Sequence, residues 1–156
     1  MLKVNRKVEY GLIALKHMWG KPKGQLTSVR EICELYKAPF DPLAHVLRIL
    51  NANGILQSEQ GAHGGYRLLQ DLNSISLAQF IEMIEGQLAW TDCIMEFDEC
   101  RCGMLDACNI VAPMHQFNQR LIEFLHSITL SDLLALNSDA VKFNLRPSSG
   151  ASAATP

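Results

Sequence analysis

Apolar side chains recur along this chain at helical spacing, interrupted once by a glycine-rich stretch, and the interruptions divide it into elements. Val4, Val8, Leu12, Leu15 and Trp19 predict a first helix over residues 4–19, closed by Lys21-Pro-Lys-Gly24. Ser28 and Glu31 form an S-x-x-E capping box that opens a second helix through Val29, Ile32, Leu35 and Tyr36, with a turn at Lys37-Ala-Pro39. Cys33 sits beside Ile32 and is read as core. A third helix takes Asp41 as its N-cap and Pro42 as its first residue, where a missing N–H costs nothing. Leu43, Val46, Leu47 and Leu50 make its apolar stripe, and Gly54 supplies the stop. Asp41, Ala44, His45 and Arg48 share the same spacing on the opposite face, which is short, polar and able to enter a groove.

Residues 55–60 and 66–69 read as two short strands around the turn Gly61-Ala-His-Gly-Gly65. Helix, helix–turn–helix and hairpin, in that order, predict a winged helix. Beyond it, Ser76 and Gln79 make a second capping box, opening a helix with Leu77, Phe80, Ile81 and Ile84 that ends at Gly86. Ile110, Met114, Phe117, Leu121, Phe124 and Ile128 then alternate steps of four and three, the a/d seam of a coiled coil, on a helix that Pro113 forces to begin near residue 110. The seam is read as a dimerisation surface, and Ser131–Leu136 as a short last helix. The fold class is therefore mainly α: a winged helix-turn-helix domain over 1–86 with a short β-hairpin wing, a cysteine-rich loop over 87–109, a dimerisation helix with a short docking helix over 110–136, and a small, polar, flexible tail over 137–156.

Charge changes this picture. The net charge is −2, yet residues 1–70 hold ten Lys and Arg against five Asp and Glu, and residues 71–156 hold four against eleven. The first half carries the excess that a phosphate backbone attracts. No stretch is apolar for long enough to span a membrane, and the charged start, Met1-Leu-Lys-Val-Asn-Arg-Lys-Val-Glu9, lacks the apolar run of a secretory signal. A cytoplasmic location is expected, where thiols stay reduced.

Thiol chemistry is concentrated in one place. Cys93, Cys100, Cys102 and Cys108 fall within sixteen residues, spaced C-x6-C-x-C-x5-C, among Asp92, Glu96, Asp98, Glu99 and Asp106. A core does not hold five carboxylates without partners, so these cysteines are read as gathered for chemistry: zinc, an iron–sulfur cluster of two or four irons, or disulfides. Structural zinc favours paired C-x2-C knuckles, which this segment lacks. Wide, uneven gaps between soft thiolate donors suit a cluster, and the reduced compartment disfavours disulfides.

Several segments together resemble the Rrf-two group of bacterial regulators, of the IscR, NsrR and RirA types. They are Val8-Glu-Tyr-Gly-Leu12, Leu47-Arg-Ile-Leu-Asn-Ala-Asn-Gly-Ile-Leu56, Gly61-Ala-His-Gly-Gly-Tyr-Arg-Leu68, the cysteine segment, and Ile128-Thr-Leu-Ser-Asp-Leu-Leu134. The resemblance spans roughly residues 1–136 and implies a homodimeric winged-helix transcription factor on double-stranded DNA, whose cysteine-held cluster gates promoter binding. It departs from the family pattern twice. Cys102 and Cys108 match the family's second gap, but Cys93 to Cys102 is too long and Cys100 is an extra thiol, so either or both of the middle pair are candidate ligands. Val111 stands where IscR-like members place a ligand histidine; in other members an acidic residue on the first helix of the partner supplies the fourth ligand, and the resemblance puts Glu9 forward at that position, with His115 a weaker candidate.

The expected DNA contacts are His45 and Arg48 at base edges, Gln60, His63 and Arg67 on the wing, and Lys37 with the basic first helix at phosphates, on an inverted-repeat site. An enzyme is not expected: no nucleophile–base pair stands at readable spacing and there is no phosphate-binding glycine loop. The rival readings are structural zinc or a thiol redox switch on the same DNA-binding body, and a carrier that delivers clusters.

Overall fold

The computed structural model describes residues 5–61, 64–88 and 107–135. Val4, His63, Cys93, Cys100, Cys102, the acidic residues among them and the tail over 137–156 lie outside the described residues.

Helix α1 (Arg6–Trp19) starts at Asn5, whose side chain accepts from Lys7 N, and α2 (Val29–Tyr36) starts at Ser28, whose Oγ accepts from Glu31 N at 3.1 Å. Only half of the expected capping box forms at Ser28, because the Glu31 carboxylate turns away to Lys21 and His17. Helix α3 (Phe40–Ala52) begins two residues earlier than the Asp41-Pro42 reading: Pro39 is the N-cap, and Asp41 and Pro42 lie inside the first turn. Proline is tolerated throughout that turn, since its N–H groups have no partner within the helix, so Pro42 marks the start only approximately. Its far end follows expectation, with Asn53 as C-cap and Gly54 at φ 74°.

Strands β1 (Leu56–Glu59) and β2 (Gly65–Leu68) pair antiparallel, with Gln57 opposite Arg67 and Ser58 opposite Tyr66. Thr27, fully buried, adds a single antiparallel bridge to β2: Thr27 N donates to Tyr66 O at 2.8 Å and Tyr66 N returns to Thr27 O at 2.9 Å. This close approach requires a glycine at 65, where a Cβ would stand 2.6 Å from Thr27 O. The wing is thereby tied to the segment just before α2.

A 3-10 turn (Leu72–Ser74) leads to α4 (Leu77–Glu85), where the Ser76/Gln79 capping box forms in full. Then come α5 (Val111–His126), beginning at N-cap Ile110 with Pro113 in its first turn, and α6 (Leu130–Ala135). The chain between them returns to the body: Leu77 N donates to Ile128 O at 2.8 Å and Leu130 N to Ile75 O at 2.9 Å. Thr129 Oγ1 caps this turn, accepting from Asp132 N at 3.1 Å while donating to Asp132 Oδ2 at 2.6 Å. That accounts for the Thr-x-x-Asp run in the sequence.

The core joins Val8, Leu15, Ile32, Leu47, Leu50 and Phe80 around α3, all at most 1% exposed. Gly11 is buried where α1 crosses α4, and a Cβ there would meet Phe80 Cζ at 2.7 Å. Two apolar readings from the sequence change here. Trp19 is 43% exposed, with Met18 buried in its place, and Leu35 and Tyr36 on α2 remain 59% and 44% exposed. The a/d seam of α5 divides: Met114, Leu121 and Ile128 are half-buried, whereas Ile110, Phe117 and Phe124 stand 56%, 49% and 60% exposed, in a row repeating every seven residues.

Candidate nucleic-acid interface and cysteine segment

Four fully buried side chains, Leu43, Val46, Leu47 and Leu50, fix the rotation of α3 about its axis and turn Asp41, His45 and Arg48 to solvent, with Ala44 half-buried between them. Lys37 is exposed in the α2–α3 turn at φ 55°, the left-handed conformation of a helix C-cap. These four polar residues thus occupy one continuous edge of the helix–turn–helix.

On the wing, Gln60 is exposed and His63 lies outside the described residues. Arg67 is already engaged: Nη1 meets Glu59 Oε1 at 2.8 Å, and Nε and Nη2 donate to Gln57 Oε1 at 3.2 and 2.9 Å. Both partners are on β1, opposite and diagonal to Arg67 across the ladder. These contacts engage three of its five N–H donors within the hairpin, so the wing holds Arg67 in place before any phosphate is met.

Behind the wing lies a polar network that the sequence reading missed. Lys21 Nζ donates to Glu31 Oε1 and, at 2.9 Å, to Thr27 Oγ1. His17 Nε2 meets the same carboxylate oxygen at 2.8 Å, and its Nδ1 lies 3.2 Å from the Tyr36 hydroxyl. Burial pulls the Glu31 carboxyl up, but hydrogen bonds from Lys21 and His17, reinforced by their charges, outweigh it and hold the carboxyl below the ordinary carboxylate range. One carboxylate therefore links the end of α1, the start of α2 and, through Thr27, the wing. Its only trace in the sequence is Glu31, which helix logic assigned to capping.

Of the thiol set, Cys108 is described: it is half-buried and precedes the N-cap of α5 by two residues. The last cysteine is thus delivered to the N-terminal foot of the helix that carries the exposed row. Glu9 is half-buried on α1, paired with Arg6 Nη1 at 2.7 Å, and His115 is exposed on α5. Among the described residues no group of three or more His, Cys, Asp or Glu could hold a metal. Cys33 packs against the core, and its thiol is pushed up first by burial and then by Glu34. A thiol so shifted is poor as a thiolate ligand, in keeping with a structural role. The donor set as a whole, four soft thiols in one short acidic segment, fits iron–sulfur ligation chemically.

A helix–turn–helix with an exposed polar face on its second helix, backed by a tethered two-stranded wing, is the architecture of winged-helix DNA-binding proteins. Residues 4–136 match the Rrf2 family model, described as "Iron-dependent Transcriptional regulator", and the chain belongs to that family. Rrf2 proteins are transcriptional regulators that bind DNA, not enzymes. Similar solved structures include CymR, the global cysteine regulator of B. subtilis (25% identity, TM-score 0.65, 86% of this chain and 98% of that one). T. potens IscR is similar at 25% identity and TM-score 0.58, over 86% of this chain and 87% of that one. The oxidised form of Staphylococcus aureus CymR shares the fold at 22% identity and TM-score 0.63, over 87% and 98% of the two chains. Among the described residues no helix is long and apolar enough to cross a membrane.

Proposed function

We propose that this Rrf2 protein is a homodimeric regulator that reads an inverted-repeat promoter site and senses redox, nitric oxide or iron status through an iron–sulfur cluster held by its cysteine segment. One observation carries the reading: four thiols in sixteen residues lead directly, in sequence, into a helix that carries an exposed apolar row of Ile110, Phe117 and Phe124. Cys93 and Cys108, with Cys100, Cys102 or both, would hold the cluster, and Glu9 would be the oxygen donor once released from Arg6. When bound, the cluster supplies a redox-active link among thiols that lie within sixteen residues of one another in the sequence. Ile110, Phe117 and Phe124 would pack on a second copy, and Cys108, at the foot of the same helix, would bring thiol chemistry beside that packing. His45 and Arg48 would then enter successive major grooves from the two subunits, with Gln60 and His63 along the flanking minor groove, and Lys37 on phosphates.

Anaerobic purification with an absorption spectrum and iron and sulfide counts tests this. A brown protein with iron and acid-labile sulfide in proportion is expected, bleached by Cys93→Ser. A colourless protein carrying zinc would replace the cluster with a structural metal. A second reading, a thiol switch without metal, draws on the likeness to CymR, a cysteine regulator as similar in sequence as IscR is. It predicts no iron, and a reversible change in free-thiol count on oxidation.

A further inference from the structure

The first residue of α3 is an exposed phenylalanine. Phe40 keeps 54% of its surface in water. The N-cap before it is Pro39, so no polar side chain closes over this end of the helix. Tyr36, the exposed aromatic at the end of α2, is held within the protein, its hydroxyl 3.2 Å from His17 Nδ1 and its ring edge-on to the imidazole with centroids 5.6 Å apart. No such ring contact is found for Phe40 among the described residues. Ala44 and Arg48 follow Phe40 at i+4 and i+8 in one row along the helix, and Ala44 is too short to cover the ring. The phenyl group thus sits at the leading end of the row that runs to Arg48.

In helix–turn–helix proteins the N-terminal residues of the recognition helix meet the base edges. The apolar group that a base pair presents in the major groove is the C5 methyl of thymine, and phenylalanine is among the side chains that contact it. We propose that Phe40 is a specificity-determining residue whose ring packs on the methyl of one thymine in each half-site. This rests on the DNA-reading role of α3 proposed above and adds to it a contact made without hydrogen bonds.

The test uses the full-length protein and a duplex that it selects from random sequence. Each thymine of the half-site is replaced in turn by deoxyuridine, which removes one methyl and leaves every base-pair hydrogen bond in place. At one position per half-site the replacement should weaken wild-type binding roughly fourfold, the size of one buried methyl-sized group. Phe40→Ala should bind the thymine duplex more weakly and bind both duplexes alike at that position, while Phe40→Leu keeps part of the discrimination. Because Phe40 is exposed, the Ala variant should melt with the wild type, which separates lost contact from lost fold. Equal uridine sensitivity in wild type and Phe40→Ala at every position overturns the proposal, as does wild-type indifference to uridine throughout the half-site. A protein that selects no sequence fails earlier, at the DNA-reading role itself.

Discussion

Helices α3 and α5 are of similar length, 13 and 16 residues, yet they relate to the rest of the chain in opposite ways. Helix α3 buries Leu43, Val46, Leu47 and Leu50 completely and leaves a polar face outside. The one described residue that α5 buries is polar: Asn118, whose Oδ1 has no hydrogen-bond partner, while two phenylalanines and an isoleucine face water. A helix of the first kind is finished within one chain; the second is finished only when something covers it. The first is suited to hold a rigid reading surface, and the second to respond to what happens beside it.

The sharpest break of this contrast compares like substitutions on the two helices. Leu47→Ala empties a fully buried site and should cost about 2–5 kcal/mol of stability by chemical denaturation, while Phe124→Ala, at a site 60% exposed, should leave the unfolding of a single subunit within about 0.5 kcal/mol. Comparable losses at both sites would mean that α5 is as much core as α3. Next in size is association. Phe117→Asp with Phe124→Asp should raise the dimer dissociation constant by roughly two orders of magnitude or more in sedimentation, because each buried phenylalanine contributes about 1.5–3 kcal/mol. A double variant that stays dimeric places the interface elsewhere. Leu121 is unsuitable for this test, since it is half-buried against its own domain.

The reading surface itself sharpens the comparison at a smaller scale. His45→Ala should relax preference at one base pair per half-site, about 1–3 kcal/mol in binding-site selection, whereas Arg48→Ala, one turn deeper into the helix, should weaken all sequences alike and flatten the salt dependence by about one unit. An unchanged preference in His45→Ala removes that residue from base reading.

The smallest expected effect concerns the network behind the wing. Glu31→Gln should cost no more than about 1 kcal/mol at neutral pH, because the carboxylate is 39% exposed and its pairs are screened. The folded-state pKa of Glu31 lies below its unfolded value, so its contribution is complete above the ordinary carboxylate range and is lost as pH falls through the folded pKa. The melting gap between wild type and variant should therefore close in acid, and a gap that widened there would contradict the assigned pairing.

Much of this was legible from local rules. The box at Ser76 and Gln79 forms as read, three residues apart, and Gln79 Oε1 stays on Ser76 N at 2.9 Å even though Ser76 Oγ also lies 3.1 Å from His126 Nδ1. The box at Ser28 is only half formed, because Lys21 and His17, ten and fourteen residues away, take the Glu31 carboxylate. Tertiary charge overrode a local signal. The start of α3 was displaced by two residues because periodicity fixes which face of a helix is apolar but not where the helix begins, and that shift hid Phe40 outside the expected helix. The seam of α5 was legible as a stripe, but which half of it belongs to its own chain depends on α4, against which α5 packs. Arg67 could not be separated from its neighbours by sequence, since its pairing with Glu59 and Gln57 depends on the register of the hairpin.

The central proposal is that the thiol segment preceding α5 in the sequence controls what α3 binds. Its most direct measurement is the affinity of anaerobically purified protein for its selected duplex, before and after iron is removed by chelation under the same salt. A change of at least tenfold, abolished by Cys93→Ser, is the predicted result. Equal affinity in the two states, with the protein still dimeric and sequence-specific, would contradict the account.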